Sequence, residues 1–137
     1  MPVHYHVDVK EERLDAVVDA IDAVAAGPGY VEIGTGLPPA AFGTLLATIP
    51  LQKPSFTVAT SGTDASMTMD GVPLSTAAGG AVANGTAQQG RICDNAAKVI
   101  VGGLTVGVGA GFEINLNSAA ISTGQTVTLS SGTITHG

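Results

Sequence analysis

The chain has 137 residues, 45% of them hydrophobic and only 12% charged, with 19 glycines, no tryptophan and a formal net charge of −6. That length suits one domain around a single core. The five basic residues, Lys10, Arg13, Lys53, Arg91 and Lys98, form no stripe that would neutralise phosphates, which excludes nucleic acid as a partner, and no apolar run reaches the roughly 18 residues that would span a bilayer. A charged fraction well below the usual ~25% leaves a surface of Thr, Ser, Ala, Asn and Gly, suited to packing against protein neighbours.

The first segment, PVHYHVDV, alternates Val3, Tyr5, Val7 and Val9 with His4, His6 and Asp8, the period of an extended arm. The N-terminus has no apolar signal segment, so synthesis in a cytoplasm is expected, a compartment that also suits the single cysteine, Cys93. Residues 1–9 are therefore read as an arm and 10–137 as one domain. A helix over 10–26 follows, because Leu14, Val17, Val18, Ile21, Val24 and Ala25 recur at three- and four-residue spacing. Asp8 and Glu11 have capping-box spacing, and Gly27-Pro28 stops the helix. Six of the eleven acids, Asp8, Glu11, Glu12, Asp15, Asp19 and Asp22, lie in these first 22 residues.

Beyond Gly29 the pattern is one of strands and turns. YVEI at 30–33, TLLATIPL at 44–51, and the segments 55–59 and 65–70 paired across the turn 60–64 are predicted strands, Pro50 marking an edge or a strand end. Residues 79–85 read as a loop; 86–93, 98–101, 104–106, 112–116 and 126–135 complete the set. Strands this short and this closely spaced predict a mainly β fold, an antiparallel sandwich of Ig-like or jelly-roll-like type.

Motifs for chemistry are weak throughout. The glycine run Gly107–Gly111 precedes a strand-like segment, where a nucleotide loop would need a helix N-terminus, so it reads as a turn. His4, His6 and Asp8 would share one side of an extended arm, but a terminal arm is poorly preorganised for a metal. No GxSxG elbow is present, and Cys93 reads as a small buried hydrophobe. Glu32, Asp64, Asp70, Asp94 and Glu113, the remaining acids, sit mostly where turns favour them. No enzyme, metal or cofactor is expected.

The succession GTAQQGRICDNAAKVIVGGLTVG, then FEINLNSAAISTGQTVTLSSGTITHG, resembles a group of small virion proteins of tailed bacteriophages and prophages. YVEIGTG and GTLLATIPLQKPSF extend the resemblance over most of residues 14–135, and Gln88-Gln89 stand where such proteins often carry an aromatic residue. These are strand-and-turn patterns and mark no catalytic residue. The resemblance implies a head-decoration or cement protein on the outer capsid surface, bound to the major capsid protein across subunit boundaries and self-associating, as trimers at symmetry axes. In that role the arm, with Val3, His4, Tyr5, His6 and Val7, would contact the shell by adding a strand to a sheet edge. The alternative is an Ig-like module on head or tail that binds host-surface carbohydrate, for which exposed aromatic residues would be needed.

Overall fold

The computed structural model describes residues 5–38, 40–109 and 111–136. The fold is mainly β, with one helix and a curled sheet of many strands. Helix α1, Val7–Ile21, is followed by β1 (Tyr30–Gly34), β2 (Leu45–Pro50), β3 (Phe56–Ser61), β4 (Asp64–Met69), β5 (Leu74–Ser75), β6 (Gly85–Thr86), β7 (Gln89–Cys93), β8 (Val99–Val108), β9 (Ile114–Leu116), β10 (Ala120–Ile121) and β11 (Thr128–His136). The large sheet has the order β2-β1-β7-β8-β9-β11-β4-β3, with β5 added on β11, while β10 and β6 form a separate ribbon.

The helix begins earlier and ends earlier than its periodicity predicts. Val7–Val9 are helical, so the predicted extended arm over residues 1–9 is corrected at its C-terminal third; Val3 and His4 lie outside the described residues. The cap is His6, not Asp8: its backbone is extended and its Nδ1 accepts from the Asp8 N–H at 3.2 Å. Alternating Val7 and Val9 looked strand-like because periods of 2 and 3.6 cannot be told apart over so few residues. At the other end, Asp22 Oδ2 accepts the Ser55 N–H at 3.1 Å, and helical geometry stops there; residues 23–26 make a turn in place of the predicted last helical turn.

Leu14, Val18 and Ile21 form the buried stripe of α1, and they join Phe56, Met67 and Met69 of the β3–β4 hairpin in one core with Val31, Ile33, Ile49, Ile92, Leu116 and Leu129. Alternation places these residues inward: in β4 the buried positions are Ala65, Met67 and Met69. The hairpin turns at Gly62, whose φ of +60° is the left-handed region that a two-residue turn of this kind requires.

One pairing departs from the antiparallel expectation. Strands β8 and β9 run parallel, Val106 facing Ile114 and Val108 facing Leu116. A parallel connection normally takes a dozen or more residues. Here residues 109–113 suffice, since Gly109 and Gly111, both at φ +92°, fold the chain back over the sheet. Glu113 pins the return: its Oε1 accepts from the Thr105 N–H at 3.0 Å, and Thr105 Oγ1 accepts from its N–H at 3.1 Å. Residues 98–101 and 104–106, predicted as two strands, are one continuous β8, with Gly103 at φ +69° absorbing the irregularity.

Because Ile21 is fully buried between the helix and the sheet, Ile21→Ala should cost about 2–5 kcal/mol, read as a lowered urea midpoint at unchanged slope.

Candidate interaction surfaces

Strands β1 and β7 carry a cluster of interacting polar side chains on one face. Glu32 and Arg91 are cross-strand partners, and Arg91 Nε donates to Glu32 Oε1 at 2.7 Å. The guanidinium carbon lies 4.0 Å from the centre of the Phe42 ring, so Arg91 is held between an acid and an aromatic face. Phe42 gets this close to the sheet because Gly34 lies beneath it; a Cβ there would collide with the ring. Cys93, two residues along β7, donates its Sγ–H to the same Glu32 oxygen at 3.4 Å. Burial pushes its thiol from the ordinary 9.0 up to about 11, and the hydrogen bond to Glu32 and that residue's negative charge add to the rise. Burial likewise raises Tyr30 on the neighbouring strand. A thiol held protonated in this way is a poor nucleophile, as its reading as a small hydrophobe anticipated. The cluster braces the sheet; its ion pair could be foreseen only once register placed residue 32 against residue 91.

The predicted arm residues go to two places. Tyr5 packs under Arg13, whose guanidinium carbon is 3.8 Å from its ring centre, and edge-on to His136 at 6.3 Å. His6 is the helix cap, with its Nδ1 also 3.5 Å from Asp8 Oδ2. Strand geometry for a His4–His6–Asp8 clasp is therefore replaced by a cap, and among the described residues no three His, Cys, Asp or Glu side chains converge to hold a metal ion. Also among the described residues, no pocket is found, and no helix is long and apolar enough to cross a membrane.

A second feature was not read from the sequence. The register places Gly34, Leu45, Gln89 and Val108 at one common end of β1, β2, β7 and β8. Residues 35–44, 76–88, 109–112 and 117–127, which emerge there, are free of charged residues, and Glu113, which completes the β8–β9 connection, is bonded back along β8 to Thr105. The same end exposes large apolar side chains: Leu37 at 64%, Val82 at 61%, Val108 at 51% and Phe112 at 42% of their full areas. Val82 is brought to it by its N–H bond to Leu46 O at 2.8 Å. Phe112 lies on Gly107, where a Cβ would strike its ring. The signal available in sequence was the length of these uncharged segments; what converges them is strand register.

No family model, curated protein or solved structure matches this chain.

Arg91→Ala leaves the part-buried Glu32 carboxylate without its partner and should cost about 1–3 kcal/mol by urea denaturation; adding Glu32→Gln should recover part of the loss. The Cys93 shift has a definite sign. Below pH 9 the thiol is protonated folded and unfolded alike; between about 9 and about 11 the unfolded chain loses this proton while the folded one keeps it, so stability falls as pH rises through that window. Cys93→Ala should flatten the decline in urea midpoint between pH 8.5 and 10.5, to which the raised Tyr30 also contributes.

Proposed function

We propose that this chain is a structural protein of a tailed-bacteriophage particle, a decoration or cement protein that binds the outer face of the capsid across subunit boundaries. The observation that carries the reading is the uncharged end with Leu37, Val82, Val108 and Phe112 exposed on it. Exposed apolar side chains set among small uncharged residues fit a protein interface, where no charge has to be desolvated. The resemblance of the strand-and-turn motifs to small virion proteins supplies the kind of particle. Binding shell subunits only in their assembled arrangement would stabilise that arrangement by mass action, with no chemistry required, and trimers would add avidity. In this reading the major capsid protein is the partner, and the curled sheet is a sandwich, β2-β1-β7-β8 against β9-β11-β4-β3, whose rigidity holds the loops in one plane.

Of the described arm residues, Tyr5 and His6 are engaged with the rest of the chain and Val7–Val9 are helical, which favours the uncharged end over the arm as the shell contact. The carbohydrate reading has less to build on: Tyr5 and Phe112 are the aromatic residues among the large exposed side chains, and each has a ring face already covered, by Arg13 and by Gly107.

Purified protein should co-sediment with empty phage heads. Leu37→Asp combined with Val82→Asp, both on exposed side chains, should reduce occupancy at least about tenfold with the urea midpoint unchanged. Unaltered occupancy of the double variant would remove the assigned surface; absence of wild-type protein from heads, together with a hit in a glycan screen, would favour the alternative.

A further inference from the structure

The large sheet has two edges, and they are treated differently. Edge strand β2 is blunted: Pro50 has no N–H to offer, and Leu46 O is already occupied by the Val82 N–H. Edge strand β3, FTVATS, has no proline, no charge and no neighbour beyond β4 among the described residues. Ser55 O accepts from the Asp70 N–H at 2.9 Å, so the alternation of an antiparallel ladder turns residues 57, 59 and 61 toward β4. The N–H and C=O groups of Phe56, Val58 and Thr60 then point outward along the open edge, with no hydrogen-bond partner among the described residues. Ala59, Thr60 and Ser61 are exposed and Val58 is half-buried, so the edge is accessible over its second half, whereas Phe56 at its start is buried.

Helix α1 supplies the second half of the argument. At about 100° per residue, its acids Asp8, Glu11, Glu12, Asp15, Asp19 and Asp22 fall within one sector of about 100°, and Arg13 lies on the opposite flank. Arg13 Nη1 approaches His136 of β11, the strand on the far side of β4, at 3.4 Å. Asp22 instead holds the N–H of Ser55 at the start of β3. The acidic flank therefore lies toward the β3 edge. A strand added there would bring every second side chain beside a row of carboxylates.

We propose that the β3 edge, Phe56–Ser61, is a docking site for an extended, basic segment of a partner protein, joined by main-chain hydrogen bonds to Val58 and Thr60 and selected by the α1 carboxylates facing its alternate Lys or Arg side chains. A second copy of this chain is a poor occupant, because two-fold β3–β3 pairing would bring two acidic flanks together. The inference is independent of the capsid reading: it concerns a different surface and holds for any basic strand.

The test uses the full chain and two nine-residue peptides, one alternating Lys with Thr and one alternating Glu with Thr, followed by amide exchange and NMR titration. The Lys peptide should slow exchange at Val58 and Thr60, and should bind at least about fivefold more weakly in 0.5 M than in 0.05 M salt. Thr60→Pro removes an outward N–H that the β4 ladder does not use, so it should abolish binding without unfolding the hairpin. Glu11→Lys with Asp15→Lys, which cuts the flank's charge from −6 to −2, should narrow the preference for the Lys over the Glu peptide. Protection elsewhere on the molecule, binding of neither peptide, equal binding of both, wild-type binding by a folded Thr60→Pro, an unmoved preference in the charge-reversed variant, or concentration-dependent protection of β3 without peptide would each overturn the proposal.

Discussion

Burial of the Leu14–Val18–Ile21 stripe against the β3–β4 hairpin is the contact on which the arrangement of this surface depends. A helix can place its apolar stripe against the sheet in only one rotation, so this contact also decides where its polar residues go. Arg13 is turned toward β11, and the acids toward the open side of β3. Lys10, although charged, accompanies the stripe inward, because its Nζ reaches Thr63 O at 2.7 Å and Asp64 Oδ1 at 4.0 Å in the hairpin turn. Without that docking the acids would belong to a solvated segment with no fixed relation to any edge.

The consequence is a molecule with separated surface chemistries. One end, built from the loops around Gly34, Leu45, Gln89 and Val108, offers Leu37, Val82, Val108 and Phe112 on an uncharged ground. The helix flank concentrates more than half of the acids, six of eleven. Between them, the Glu32–Arg91–Phe42 cluster spans β1, β7 and the loop before β2, tying the strands that carry the uncharged end. Desolvating the first surface costs little, whereas the second keeps its carboxylates in water until an opposite charge arrives. Such a division suits a chain with more than one neighbour.

Glycine takes part in both the sheet and its coverings. Gly34 and Gly107 each leave room for an aromatic ring, Phe42 and Phe112 respectively, to lie on the backbone. The rings in turn restore apolar cover over positions that have no side chain of their own. The short return from β8 to β9 relies on the same permissiveness at Gly109 and Gly111, and it is what places Phe112 where it is exposed.

The amino-acid sequence by itself determined the strand-rich class, the single helix and its buried stripe, the β3–β4 hairpin, the edge character of β2 and the burial of Cys93, because each follows from local periodicity, turn residues or composition. Tertiary structure alone decided that Val7–Val9 join the helix, that β8 and β9 are parallel, that Glu32 meets Arg91, and that four uncharged segments share one end of the sheet. The helix start rests on the local His6 cap, whereas the others depend on register and on which strands pair, where the energy lies in contacts between strands and no single segment carries the information. The open edge of β3 belongs to the second group as well: FTVATS reads as a strand from its own residues, but whether a strand has one neighbour or two is a property of the whole sheet.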